Sequence, residues 1–341
     1  MAADDRAVVV GINHYPGLQD NGDSKDLAGP ERDALEVVKW LVSPTGGNVP
    51  AARVTTIVSG ATAEGPTPTE ATIDLAFERI LDEAKANGSV GGRRLYLFFA
   101  GHGFASSTED VNLLMANATR DRTGHHIAGK KYVEWFRMAA LFKEIVLFMD
   151  CCREVQQTAP LRPVPWNPKL NPPPSRVFIG YATGFAMASR ERPTPTNGGQ
   201  VRGRFTEALV AGLTKAADAQ GRVTGLLLKN FVTNALDAEA KAEGENPNNK
   251  QTPEFPAGAE DDFVLVEGLA QLAAPYELVV SFTGEVPTLV LGDLTTVVPP
   301  SAMTAATLTW GLRPGLYQVR TAAKAKTVEL VGAGGTMHVD I

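Results

Sequence analysis

Leu95–Ala105 reads LYLFFAGHGFA and Ile145–Glu154 reads IVLFMDCCRE. Each is a short apolar run, aromatic and β-branched, with no polar alternation. That is the signature of a strand buried on both faces, as in a parallel sheet covered by helices. Each run ends in a reactive side chain: His102 in the first, Cys152 in the second. In open α/β sheets ligands sit at the carboxyl ends of strands. A thiol attacks only as thiolate and therefore needs a nearby base. The His comes first, with the Cys 50 residues downstream.

Working outward, Ala7–Ile12 reads as a strand, Gly29–Leu41 as a helix and Val54–Ser59 as a second strand. Thr69–Lys85 reads as a helix introduced by Thr67-Pro68-Thr69-Glu70, and another helix falls near Lys131–Leu141. Alternating strands and helices predict an α/β fold in three layers, a mostly parallel central sheet with helices on both faces. From about residue 270 the pattern changes to six short alternating segments, among them YELVVSF, ATLTWGLRPGLYQVRTA and TMHVDI. These predict a small C-terminal all-β sandwich. The expected division is therefore 1–268 and 269–341. Residues 155–176 hold seven prolines and exclude helix or central strand. TRDRTGHHIAGKKY, with His125 and His126, reads as a solvated loop without the acidic or Cys partners a metal needs.

The chain resembles the caspase-like cysteine peptidases, the clan of caspases and metacaspases, and more closely its bacterial metacaspase-like branch. The resemblance runs over residues 5–267 in seven ordered pieces: RAVVVGINHYP, LAGPERDALEVVKWL, RRLYLFFAGHG, VLFMDCCR, VFIGYATGFAMASRE, GRFTEALVAGL with the 221–228 turn, and QTPEF. It implies a caspase-like fold and cysteine endopeptidase activity, with His102 as general base and Cys152 as nucleophile. The amides of Gly103 and Cys152 are expected to hold the oxyanion. Asp33 and Asp150 match the carboxylates that line the S1 pocket in the metacaspase branch, which implies cleavage after Arg or Lys. Departures from the family touch that pocket: DCCRE replaces DSCHSG or QACRG, Ala100 replaces a Ser, and Pro30 replaces a Cys. Successive strand residues face opposite ways, so Cys151 is expected to point into the packing.

The resemblance also implies a zymogen in a stress, bacterial-defence or cell-death pathway. Arg162, Lys169 and Arg176 are candidate self-cleavage points in the Pro-rich segment. Ser189–Arg204, with Arg190, Arg192, Arg202 and Arg204, is expected to be an exposed, protease-accessible substrate loop. No organic cofactor is implied; calcium dependence stays open, since Glu260-Asp261-Asp262 is no recognisable binding loop. Protein or peptide substrates are the expected partners, with a regulatory protein on the C-terminal strands. A catalytically silent scaffold is the alternative.

Composition narrows the classes. A net charge of −6 and a pI near 5.5 give no nucleic-acid footprint. Two adjacent cysteines cannot staple a fold, which suits a reducing, cytoplasmic setting. No apolar run reaches membrane-spanning length, and the N-terminus does not read as a signal peptide.

Overall fold

The computed structural model describes residues 4–20, 22–88, 91–122, 124–156, 162–167, 175–193, 199–218, 221–246, 250–256, 262–269, 276–291, 297–312, 315–330 and 335–341. Five parallel strands form the central sheet: β1 (Arg6–Gly11), β2 (Val54–Val58), β3 (Gly92–Ala100), β4 (Phe142–Asp150) and β5 (Arg176–Tyr181). Their order is β5-β4-β3-β1-β2. The two apolar runs that open the sequence argument are the central pair.

Strand alternation sorts the side chains into two cores. Val8, Val10, Leu95, Leu97, Phe99, Ile145, Leu147 and Met149 face one layer of helices. That layer is α2 (Glu70–Ala86), through Ile73, Phe77 and Ile80, and α3 (Gly129–Ala139), through Tyr132, Val133 and Phe136. Ala7, Val9, Tyr96, Phe98, Val146 and Phe148 face the other. There α1 (Pro30–Val42), α4 (Arg204–Lys215) and α5 (Gly225–Ala242) contribute Val37, Trp40, Leu209, Leu213, Leu228 and Val232. The helices follow ordinary local rules. Pro30 opens α1, where its missing N–H is harmless. Thr69 and Thr72 close a capping box on α2.

The C-terminal strands pack as two four-stranded sheets face to face. One contains Tyr276–Ser281 between Thr307–Leu312 and Gly335–Asp340; the other contains Thr288–Leu291 beside Gly315–Arg320 and Ala325–Leu330. Leu278, Val280, Leu308 and Trp310 meet Leu289, Val319, Val328 and Leu330 between them. The pairing is antiparallel except where Tyr276–Ser281 runs parallel to Gly335–Asp340. Strand Gly315–Arg320 rests on α5, and Lys241 pairs with Glu329 at 3.5 Å. Among the described residues no helix is long and apolar enough to cross a membrane.

Buried Arg94 fastens the segment that leads out of the parallel fold. It donates to Glu144 Oε2 at 2.8 Å, to Tyr96 Oη at 2.9 Å and to the Leu265 carbonyl at 2.8 Å, and its guanidinium lies over the Phe263 ring. Arg94→Met leaves these acceptors unpaired in the core. The expected loss is about 3–5 kcal/mol of stability, read by urea denaturation; a loss under about 1 kcal/mol would show that the acceptors find water instead.

Candidate active site

Strands β3 and β4 pair with Ala100 opposite Asp150, and the Gly101 N–H reaches the Asp150 carbonyl at 3.2 Å. His102 and Cys152 each follow that last rung by two residues. The parallel register therefore places both at the carboxyl edge of the sheet. Cys151, on the alternate face, is buried in the core under α2 and α3.

Gly101 makes the turn at the end of β3. Its φ is +153°, and a Cβ there would lie 2.3 Å from Tyr15 Oη. Tyr15 is fully buried. Its hydroxyl accepts the His102 N–H at 2.9 Å, and its ring packs on the imidazole at 4.8 Å. At Gly103 a Cβ would lie 2.7 Å from Cys151 Sγ and from the Asn112 carbonyl. The glycines around His102 therefore admit Tyr15, Cys151 and Asn112, not the substrate backbone that the sequence suggests.

The imidazole Nε2 is 2.6 Å from the Lys25 carbonyl. A carbonyl only accepts, so Nε2 carries the hydrogen and the neutral ring keeps its lone pair on Nδ1. The half-buried Cys152 thiol points at the Ser189 carbonyl at 3.6 Å. Burial pushes this thiol up from its ordinary value, with Glu154 and Asp150 adding to the shift. Among the described residues no hydrogen bond joins His102 to Cys152; each is held by its own carbonyl. Leu114 N–H donates to the His102 carbonyl at 2.9 Å. Gly103 opposite Leu113 is then the non-bonded pair, and its N–H points away from the neighbouring strand. The Cys152 N–H donates to no backbone carbonyl among the described residues.

Asp33, from α1, and Asp150, from the end of β4, converge on one spot. A Cβ on Gly203 would lie 2.3 Å from Asp150 Oδ2 and 2.8 Å from Asp33 Oδ2. Asp33 accepts from Arg202 Nε at 2.7 Å and from the Gly203 N–H at 2.8 Å. Asp150 accepts from the hydroxyls of Ser189 at 2.7 Å and Thr206 at 2.6 Å, and from the Thr206 N–H at 3.1 Å. Burial pushes the Asp33 carboxyl up to about 7, with the charge of Asp150 adding to it. Asp150 is likewise raised, by burial first.

A model of the caspase domain (Peptidase_C14) matches residues 4–264. The chain belongs to the caspase-domain family. A probable protease of a Desulfuromonadales bacterium is 28% identical over 227 residues, covering 63% of this chain and 26% of that protein. The match thus spans about a quarter of that relative's length. Among solved structures, caspase-1 of Spodoptera frugiperda is 16% identical, with a TM-score of 0.47 over 80% of this chain and 93% of the other. A Geobacter sulfurreducens protein is 14% identical, with a TM-score of 0.44 over 77% and 98%.

Around His102 and Cys152, this caspase domain uses three residues that lie inside the matched pieces but to which the sequence assigns no role. Arg153, fully buried, donates to the carbonyls of Thr108 at 2.6 Å and Thr183 at 3.3 Å, pairs with Glu254 at 2.5 Å and lies over the Tyr181 ring. It ties the chain after Cys152 to three loops. Gln251 accepts the Arg190 N–H at 3.0 Å and donates to the Ala182 carbonyl at 3.0 Å and to Ser189 Oγ at 3.3 Å. Glu191 accepts the N–H groups of Ala28 at 3.1 Å and Gly29 at 2.8 Å, where α1 begins.

Two expectations are corrected. Ser189–Arg204 is not a free loop at its arginines: β6 (Glu191–Pro193) pairs with β7 (Val201–Gly203), and Arg202 and Arg204 are buried. Arg190 pairs with Glu245, while Arg192 and Arg204 meet Glu239 and Glu243 at the end of α5. The stretch at His125 and His126 is solvated only in its first part, Arg120–Arg122 and Gly124. His126 is fully buried edge-on to Phe104 in strand His126–Ala128, and His125 Nδ1 lies 2.9 Å from Glu70. Arg162 is engaged by Asp74 and Tyr132, and Arg176 by Asp262 at 2.9 Å. Lys169, Glu260 and Asp261 lie outside the described residues. Among the described residues no three His, Cys, Asp or Glu side chains converge as a metal site, so no step is assigned to calcium.

Two measurements check these electrostatics. Alkylation of Cys152 by iodoacetamide, followed by mass spectrometry, is expected to rise with a midpoint above 9.0 in the resting protein, with Cys151 inert; a midpoint below that value would show an ion pair absent here. Asp33, at about 7 folded against 3.8 for an ordinary Asp, binds protons that the unfolded chain has lost. Its contribution to stability is full below pH 3.8 and fades as pH rises towards about 7. Relative to wild type, Asp33→Asn should therefore gain stability over that window, measured by denaturation at each pH; a constant difference would show that Asp33 is ionised throughout.

Proposed function

We propose that this chain is a cysteine endopeptidase cleaving after Arg or Lys, with Cys152 as nucleophile and His102 as base. The observation that carries the reading is the pairing of β3 and β4, which ends an imidazole and a thiol at one edge, with the ring's Nδ1 left as the free lone pair by the Lys25 carbonyl. Nδ1 takes the thiol proton and Sγ adds to the scissile carbonyl carbon. The N–H groups of Gly103 and Cys152 hold the resulting oxyanion. The imidazolium returns its proton to the leaving amine as the C–N bond breaks, giving a thioester. Water, deprotonated by the same Nδ1, then releases the acid and the thiol.

Asp33 and Asp150 supply the recognition of a basic P1 side chain. Ser189 links them to the thiol: its hydroxyl is on Asp150 and its carbonyl faces Sγ. Burial keeps the resting thiol protonated, so its proton passes to His102 only when a substrate is bound. The C-terminal sandwich, seated on α5, is assigned the regulatory contact with a partner.

The test is turnover of fluorogenic peptides with P1 Arg, Lys, Asp, Gln or Leu. Wild type should cleave the Arg and Lys peptides, Cys152→Ala should lose at least about 1,000-fold, and Asp33→Asn should lose the preference for Arg over Leu. Cleavage after Asp alone would reject the acidic pocket and keep the dyad. A wild-type chain that neither cleaves nor reacts with an Arg-peptide warhead would reject the peptidase.

A further inference from the structure

The pocket assigned above to a basic P1 residue already holds a basic side chain. Arg202 is buried, and its Nε donates to Asp33 Oδ1 at 2.7 Å. We propose that Arg202 is the resident occupant of this pocket, and that a substrate's P1 Arg or Lys binds by displacing it. The inference rests on the reading of Asp33 and Asp150 as the P1 site.

Three features support displacement over a permanent ion pair. First, the contact is incomplete. Only Nε meets Asp33, and Nη2 is buried with no hydrogen-bond partner among the described residues. An arginine on a carboxylate is strongest as a two-pronged fork, and a buried orphan donor is unfavourable. An incoming guanidinium that used both prongs would be the better ligand. Second, the hairpin that carries Arg202 has anchors other than Asp33. Opposite Gly203, Glu191 holds the start of α1. Arg192 and Arg204 hold the acidic end of α5. The guanidinium and the Gly203 N–H can both leave Asp33 while these other contacts keep the strand in place. Third, the pocket adjoins the thiol through Ser189, so a cation on Asp33 lies where a P1 side chain would be delivered. Two guanidiniums cannot share one carboxylate without repulsion. Occupancy by Arg202 therefore reduces apparent affinity by the fraction of time the pocket is empty.

The experiment uses the full chain carrying Cys152→Ala, so that binding is read without turnover. An acetylated peptide ending in P1 arginine amide is titrated calorimetrically, with the P1 leucine and P1 aspartate peptides beside it. Adding Arg202→Met is expected to tighten the arginine peptide by about tenfold or more and to leave the leucine peptide unchanged. Hydrogen exchange with Arg202 intact gives a second reading that does not depend on the variant folding. Saturating arginine peptide should speed exchange of the Val201–Gly203 amides, because Gly203 N–H and Arg202 both leave Asp33. Equal arginine-peptide affinity with and without Arg202, or unchanged exchange in the bound state, would overturn the displacement while keeping the acidic pocket. Binding of the aspartate peptide that is lost in Arg202→Met would make Arg202 itself the receptor, overturning both. Failure of the Arg202-intact protein to bind any of the three peptides would also overturn both.

Discussion

The parallel pairing of Gly92–Ala100 with Phe142–Asp150 is the constraint on which the rest of the molecule depends. Parallel strands end at the same edge, and this register puts Ala100 and Asp150 on one rung. Two residues past that rung the chain has left the parallel ladder, so the side chains of His102 and Cys152 stand at its edge, fixed in position by it. The backbone turn at Gly101, the buried Tyr15 hydroxyl and the Lys25 carbonyl then orient the imidazole. These are packing devices first, and the chemistry at the edge is available because the packing is settled.

The second organising feature is a buried acidic pair. Both are denied water, which raises both carboxyls, and a neighbouring negative charge adds to it, that of Asp150 at Asp33 and that of Glu191 at Asp150. Hydroxyls of Ser189 and Thr206, two backbone amides and Arg202 offset that burden. The same groups bind β6, β7, α1 and α4 around the candidate pocket. A site built this way is stable when its anions are met, by its own arginine or by a substrate's. The acidic end of α5 extends the network outward through Glu239, Glu243 and Glu245, and the other side of that helix carries the C-terminal sandwich.

Reading the chain without its structure recovers the elements whose signal is local. The buried strands, the apolar stripes of α1 and α2, the dyad order and the switch to alternating strands after residue 270 are all written in nearest-neighbour patterns. It fails where burial comes from elsewhere. TRDRTGHHIAGKKY is polar by composition, yet Phe104, Glu70 and the Arg162 segment cover its histidines. Arg190, Arg192 and Arg204 read as exposed because their glutamate partners on and after α5 lie 35 to 55 residues further on. Tyr15 and the Lys25 carbonyl leave no mark, since a backbone carbonyl is common to every residue.

The sequence by itself determined the family and the three-layer plan, and it named His102, Cys152, Asp33 and Asp150 as candidates, because strand burial and motif spacing are short-range properties of the chain. Only the tertiary structure decided which imidazole nitrogen is free, that the thiol rests on the Ser189 carbonyl, and that Arg202 meets Asp33. Those depend on hydrogen bonds between segments distant in the chain, Arg202 and Asp33 being 169 residues apart, and no local pattern encodes such a meeting.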